Sequence, residues 1–341
     1  MTMEPADFGV QINKAIGQSD VHVNRPLTNV SVAYMQNTND FIANRIFPVV
    51  SVSNQSDTFW KFDRADWNRN EMKLRADATE SAGVTFNLSQ DSYYCPVYAV
   101  HHEIGDQLRA NADSFLQLDR AATELITRKA LIFQEVIWAN SFFKTGVWNT
   151  LKTGLAATPG ANQFLQWNDA ASEPGKDIKS WKADIEQATG FTPNVLVLGS
   201  TTYRILSEND AIIDRIKYGQ TPGSPAIATK SAMAQLFEVD RIEVLKGIVN
   251  SGPEGGTESN AYIAAAKSAA LFYAAPSAGL MVPSAGYTFA WTGYLGANAM
   301  GGRVSQFRRE LVRSDRFEIE LAFAPKVVAP DLGVFATAAV A

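Results

Sequence analysis

Residues 58–88, TFWKFDRADWNRNEMKLRADATESAGVTFNL, and residues 106–145, DQLRANADSFLQLDRAATELITRKALIFQEVIWANSFFKT, decide how this chain is read. In the first stretch Thr58-Phe59-Trp60-Lys61-Phe62-Asp63 alternates in side-chain character, and Gly83-Val84-Thr85-Phe86-Asn87-Leu88 does the same. Two period-two runs separated by a polar stretch predict the legs of a long hairpin. Between them stand Arg64, Asp66, Arg69, Glu71, Lys73, Arg75, Asp77 and Glu80, four charges of each sign. A solvated loop explains the charges but not Trp60 and Trp67, whose apolar surface costs roughly 25 cal/mol per Å² in water. Large aromatics amid balanced charge predict docking on another subunit, with opposite charges setting the register. The expected contact residues are Trp60, Arg64, Asp66, Trp67, Arg69, Glu71, Lys73 and Arg75.

The second stretch runs for forty residues without Gly or Pro. Asn111 to Asp113 supply N-cap candidates. From there Phe115, Leu118, Ala122, Leu125, Ile126, Phe133, Val136 and Ile137 recur at steps of three and four, the apolar face of a helix. Glu124 and Arg128 are spaced for an i,i+4 pair on the outer face. A helix ending near Phe143 spans on the order of 45 Å at ~1.5 Å per residue.

Around these two parts the chain reads as α+β, with no internal repeat. Residues 1–55 form an extended arm with apolar clusters at 30–34 and 41–52, and 44–50 is expected as a strand entered through Pro48. A strand follows at 93–104. Beyond Gly146 come Gly- and Pro-bearing loops, then a helix at 177–189 closed by Gly190. Residues 194–198 are continuously apolar, as in a strand buried on both faces. Helices are expected at 201–207, 211–218 and 231–237, a strand at 241–249, and a hairpin of 261–265 with 269–273. The chain returns to strand at 287–292, 304–312, 317–323 and 333–340.

Composition narrows the function. The chain is 46% hydrophobic and 19% charged, with a net charge of −5, which argues against a dedicated nucleic-acid binder. The single cysteine, Cys95, rules out an internal disulfide and favours a reducing compartment; beside Pro96 in an aromatic strand, it is expected to be a buried structural thiol. The start MTMEPADFGV has no signal-peptide pattern, and no apolar run approaches the roughly 20 residues that span a bilayer. The expectation is a soluble protein made in a cytoplasm, without membrane contact.

Catalytic and metal motifs are weak. His101-His102-Glu103 has ligand chemistry, but neighbours in a strand face opposite sides, so a structural use is expected. Gly199-Ser200-Thr201-Thr202 follows a strand, where an α/β enzyme holds its nucleophile or phosphate loop. Neither a G-x-S-x-G elbow nor a G-x-x-x-x-G-K-[ST] loop occurs, and Ser200 is expected to cap the next helix. No catalytic, cofactor or metal site is assigned. Arg303, Arg308, Arg309, Arg313 and Arg316 form the densest basic stretch, interleaved with Glu310, Asp315, Glu318 and Glu320. Arg308, Arg309, Arg313 and Glu310 are the candidate interface ion pairs; a DNA-facing role ranks second.

The order of parts resembles the Hong Kong 97-type fold of tailed-bacteriophage major capsid proteins: arm, two-legged β-loop at 58–88, long helix at about 113–143, α/β unit around 194–198, and strand return. The textures Trp291-Thr292-Gly293-Tyr294 and Pro330-Asp331-Leu332-Gly333-Val334-Phe335 add to the likeness. It implies an N-terminal arm at 1–55 and an extended loop at 56–92. It further implies a peripheral domain at 93–164 and 301–328, with the long helix as its spine, and an axial domain at 165–300 and 329–341. The last strand, 333–340, would lie beside 194–198. Function would be structural: self-assembly into hexamers and pentamers that tile an icosahedral head around double-stranded DNA, bound without sequence specificity. With only about 30 residues before the first apolar cluster, a separate scaffolding protein is expected, together with a portal and a decoration protein as further partners. Some members cross-link through a Lys–Asn bond; Lys61 and Lys73 lie in the loop, and no such bond is assigned. The resemblance places the protein in the virion, assembled in the host bacterial cytoplasm.

Two rivals remain: an encapsulin-like cellular compartment, marked by cargo enzyme rather than nucleic acid inside the shell, and an α/β enzyme using Ser200 or His102, marked by turnover.

Overall fold

Glu135 shapes the entry of the chain into the fold. In the computed structural model, which describes residues 36–112, 117–219, 228–279, 281–300 and 302–341, its carboxylate accepts the amides of Ile42 and Ala43 at 3.0 and 2.8 Å. That cap turns part of the strand expected at 44–50 into a short helix, α1 (Ala43–Ile46). Strand β1 (Val49–Val52) follows Pro48. The expected hairpin is present but shifted: β2 (Ser56–Phe62) leads through the short helix α2 (Arg64–Trp67) to β3 (Leu88–Tyr94). Residues 83–87, expected as the second leg, lie outside the ladder, because Ser56 pairs with Tyr94 and Phe62 with Leu88. Cys95 and Pro96 then separate β3 from β4 (Val97–Gly105), which divides the strand expected at 93–104.

The forty-residue stretch holds two helices rather than one. Helix α3 (Asp106–Asn111) stops where Ala112 turns extended, at φ −73° and ψ 138°. The break needs neither Gly nor Pro: the sequence sets Asn111, Asp113 and Ser114 close together, residue types that favour helix ends. Helix α4 (Leu118–Phe142) runs for 25 residues. The cap candidate Asp113 and the face residue Phe115 lie outside the described residues, as does the apolar cluster at 30–34.

Strands β5 (Thr150–Leu155) and β6 (Gln163–Leu165) lead to α5 (Pro174–Thr189), closed by Gly190 at φ 78°. Next come β7 (Val195–Gly199), α6 (Ser200–Glu208), α7 (Asp210–Gly219), α8 (Lys230–Phe237) and β8 (Arg241–Leu245). Lys246 and Gly247 cut the strand expected to 249, leaving β9 (Ile248–Asn250) to pair with β10 (Asn260–Tyr262). Strand β11 (Ala269–Phe272) therefore does not form the expected hairpin with 261–265. Every residue of β11 is buried, and it needs a strand on each side. Strand β12 (Gly286–Trp291), helix α9 (Thr292–Leu295), β13 (Arg303–Arg309), β14 (Ser314–Val327) and β15 (Gly333–Thr337) complete the chain.

The strands form two main sheets. In one, the order is β6-β5-β15-β11-β7-β8. Strand β15 pairs with β5 and β11, so one strand separates it from β7, where adjacency was expected. In the other, the 14-residue β14 is the axis: β4 and β13 flank its first part, β12 its last, and β1 runs parallel to β12. Strands β5 and β6, between 150 and 165, lie in the six-stranded sheet, and β12 pairs with β14.

Helix α4 joins both cores. Ala122, Ile126 and Ala130 pack on Ile104, Phe317, Ile319, Leu321 and Phe323. Trp138, Ala139 and Phe142 enter the larger core with Phe47, Trp148 and Phe272 over the six-stranded sheet. Ion pairs lock the rim of the smaller core. Arg308 pairs with Asp106 and Asp315, and Arg109 with Asp119 and Asp315. Glu103 on β4 accepts from Arg316 of β14 and Arg309 of β13 and so ties the three strands together. Those two guanidinium groups hold its carboxyl down, from an ordinary 4.5 to about 2.

Two expectations follow. The Glu103 contribution is complete above pH 4.5 and disappears as pH falls towards 2, because the folded state prefers the ionised form. Glu103→Gln should therefore melt below the parent at pH 7, and the two melting curves should converge between those pH values. At the end of β7, a Cβ on Gly199 would stand 2.3 Å from the Ala266 carbonyl oxygen and 2.6 Å from that of Ala265. Gly199→Ala should cost about 1–3 kcal/mol in chemical denaturation, the range of an overpacked site. Ser200→Ala should cost far less.

Candidate docking surface

Alternation in β2 and β3 gives their ribbon two faces of different character. One face is fastened to the body. Tyr93 stacks on Phe289 at 4.6 Å, and Phe59 lies 5.5 Å from the same ring. Asp91 joins Lys61 of the ribbon at 3.0 Å to Lys326 of β14 at 2.5 Å. Burial opposes ionisation of Asp91, but the bonds from Lys326 and Lys61 outweigh it and bring the carboxyl to about 2. Beneath this root Cys95 is fully buried, its Sγ 3.6 Å from the Phe289 carbonyl oxygen, and burial pushes its thiol up to about 11. That leaves the thiol protonated and unreactive at neutral pH.

The opposite face is open, with large apolar side chains set among Ser56, Thr58, Gln90 and Ser92. Trp60 is 57% exposed, and Leu88 and Tyr94 share its side of the ribbon. At the far end Phe62, Trp67 and Phe86 form a triad with centroids 5.9–6.0 Å apart. Asp63 caps α2 through the Ala65 amide at 2.9 Å. Asp66 then accepts both the backbone and the side-chain N–H of Asn87, at 2.8 and 2.9 Å, and closes the tip. Trp67, Met72, Val84 and Phe86 line a groove of about 420 Å³ in this tip, with Arg69, Lys73 and Arg75 along its rim.

The eight predicted contact residues divide by what they already touch. Arg64 reaches Asp331 at 2.8 Å, and Arg69 bridges Asp66 and Glu71 at 3.3 and 3.2 Å. Arg75 donates to the Thr79 carbonyl. Trp67 gives part of its surface to the triad, while Trp60 and Lys73 have no ring or ion-pair partner among the described residues. In the basic stretch, Arg308 and Arg309 are paired within the chain, as described above. Glu310 lies 3.8 Å from Arg308 at the tip of the β13–β14 turn. Arg313, at φ 47°, is exposed there with no ion-pair partner among the described residues. Between them Leu311 is 99% exposed.

The alternative sites look different in three dimensions. His101 sits opposite Glu318 and His102 opposite Phe317, so the imidazoles leave β4 on opposite faces. Among the described residues no three His, Cys, Asp or Glu side chains are grouped to hold a metal ion. Ser200 does not cap α6: it is the first helical residue, after the N-cap Gly199, and makes no capping bond. The amides of Thr201 and Thr202 point instead at the Ala266 carbonyl, each at 3.1 Å, where a phosphate would otherwise sit. Sequence reasoning passed over Glu135, although its place on the apolar stripe, one turn before Trp138, was a visible signal. No described helix is long and apolar enough to cross a membrane.

No family model matches the chain. Two phage proteins named Major capsid protein do. That of Pseudomonas phage JBD67 is 25% identical over 315 residues, 92% of this chain and 96% of the relative. That of Burkholderia phage BcepMu is 25% identical over 231 residues, 65% of this chain and 68% of the relative. Among solved structures, a phage-related protein from Bordetella bronchiseptica RB50 superposes with a TM-score of 0.64 at 19% identity, covering 89% of this chain and 94% of the other. The capsid of cyanophage P-SCSP1u gives 0.58 at 12%, covering 98% of each chain. The SrpI encapsulin of Synechococcus elongatus PCC 7942 gives 0.55 at 11%, covering 92% of each. The structures establish the fold, and both sequence relatives are phage proteins named Major capsid protein. The chain is a structural major capsid protein with the Hong Kong 97-type fold, of the kind found in tailed bacteriophages.

Proposed function

We propose that copies of this chain close into hexamers and pentamers that tile an icosahedral head around double-stranded DNA. The observation that supports this most is the two-faced ribbon. It is rigidly rooted on one side by Asp91, Tyr93 and Phe59, and on the other presents Trp60 and Leu88 to solvent. A single chain gains nothing by exposing that much apolar surface on a braced arm, whereas a neighbouring copy buries it. Contacts of this head-to-tail sort close into rings when the rotation allows. Each is weak alone, and repetition over a shell makes the sum large.

In this reading 56–92 is the extended loop. The peripheral domain comprises β4, α4 and the β12–β14 strands, and the axial domain is built on the six-stranded sheet. Trp60, Trp67, Lys73 and Arg75 are the first candidates for contact with a neighbour. The exposed β13–β14 tip, with Glu310, Leu311 and Arg313, is a second contact point. Arg308 and Arg309 act there by bracing the tip from within. The role is structural, not catalytic, and the DNA inside is held without sequence specificity. A scaffolding protein, a portal and a decoration protein complete the assembly, which takes place in the host bacterial cytoplasm. The likeness to an encapsulin supports a second reading as a compartment shell; finding nucleic acid and no cargo enzyme in native particles would decide against it.

Removal of 64–80 should leave a folded chain that sediments as monomer or small oligomer and forms no shells by negative-stain microscopy. Normal shells from that variant would refute the loop's role. Trp60→Ala should keep the parent melting temperature within a few degrees, since the ring touches little of its own chain, yet raise the protein concentration needed for assembly. Light scattering against concentration reads this directly.

A further inference from the structure

Among the described residues Glu135 is the one acid that is fully buried, and the docking surface makes no use of it. Its Oε2 receives both the Ile42 and Ala43 amides, while Oε1 has no hydrogen-bond partner. One helical turn on, the Trp138 indole N–H is also buried without a partner. Such groups normally find partners, because leaving them dry costs the full desolvation of the group. Among the described residues no cation forms an ion pair with the acid. On α1, Arg45 is near, but its guanidinium donates to the Asn39 and Phe41 carbonyls at 2.8 and 3.1 Å. On β8, Glu243 contributes a second negative charge, and Arg241 is committed to the Ile46 carbonyl at 2.9 Å. On α4 itself, Arg128 donates to the Gln36 carbonyl. The turn between β8 and β9 presents the bare backbone of Gly247 to the Glu135 Cγ.

We propose that Glu135 makes docking of the entering segment, residues 36–47, a proton-linked step, with the segment held when the acid is protonated and loosened when it ionises. The segment has further anchors besides this side chain. Gln36 exchanges two hydrogen bonds with Ile248, at 2.7 and 2.8 Å, and Ile42, Ile46 and Phe47 are core residues. Docking is what seals Glu135 from water. Burial is the main influence raising its carboxyl from 4.5 to about 7, against the two amides and Arg45 and with help from Glu243. When the segment leaves, water returns and the ordinary value is restored, so docking takes up a proton. The sign follows by linkage: docking is strongest below pH 4.5, weakens as pH rises towards 7, and changes no further above it. The linkage concerns this chain's own entering segment and stands whether or not the shell reading holds.

Hydrogen exchange on the full-length chain tests it. Rates are corrected for the intrinsic pH dependence of exchange, and the Leu196 and Val197 amides of β7 serve as the internal reference. The opening equilibrium of 36–47 should rise at least about tenfold between pH 5 and pH 8, with the reference amides unmoved. Glu135→Gln should remove the pH dependence. Glu243→Gln, which deletes the like charge, should end the rise at lower pH and make it smaller, because only the docked-state value falls. A flat profile in the parent, or an unchanged rise in Glu135→Gln, overturns the proposal. If Glu135→Gln does not fold, the parent profile and the direction of the Glu243→Gln shift decide it.

Discussion

One helix belongs to two cores, and the rest of the molecule is arranged around that constraint. The first half of α4 supplies Ala122, Ile126 and Ala130 to the β14 side, and its last turns supply Trp138 and Phe142 to the six-stranded sheet. A straight helix cannot rotate at one end alone, so the facing of Ile126 and that of Trp138 are set together. This fixes the two sheets relative to each other without a large direct interface between them. The small residues Ala122, Ala130 and Ala139 allow the close approach; the large ones, Trp138 and Phe142, fill the wider gap near Trp148.

The ribbon shows how a protruding part is kept from being merely loose. A two-stranded hairpin is marginal in water on its own. Here one face is welded to β12 and β14 through Phe289 and Lys326, and the tip is folded on itself around Asp66 and the Phe62–Trp67–Phe86 triad. Much of the charge that suggests intermolecular pairing is therefore occupied at home. What is left over, Trp60 and Lys73 above all, is a smaller and more specific set than the sequence suggests.

Features with a strong local cause were readable in advance. Strand β7 is a continuous apolar run and α5 ends at a Gly that takes the left-handed conformation; α4 lies where the spacing put it, but Leu125 of the expected face is exposed while Gln134 and Glu135 are buried. What escaped was decided at a distance. The alternation at 83–88 is as good as that at 88–94, and the ladder takes the second because Tyr93 and Asp91 are gripped at the root by Phe289 and Lys326. The break at Ala112 involves neither Gly nor Pro. Strand β11 pairs with β15, more than 60 residues away, instead of with its neighbour in sequence, because only burial on both sides satisfies it. Helix α1 exists through an acid more than 90 residues downstream. In the docking surface the ribbon was legible as a ribbon, but the division of its residues between body and solvent was not, since alternation alone does not say which face is which.

Strand β14 has a mechanical meaning as well. It is one unbroken backbone of 14 residues that meets the ribbon through Lys326 near its end and the Glu103 ion-pair centre through Arg316 near its start. Hydrogen bonds to its antiparallel neighbours stand perpendicular to the strand. Tension along β14 is thus loaded in shear on many bonds at once, instead of peeling them apart singly. A pull on the ribbon travels down a covalent cable to the far rim of the subunit, and the packed core beside it is left largely unstrained.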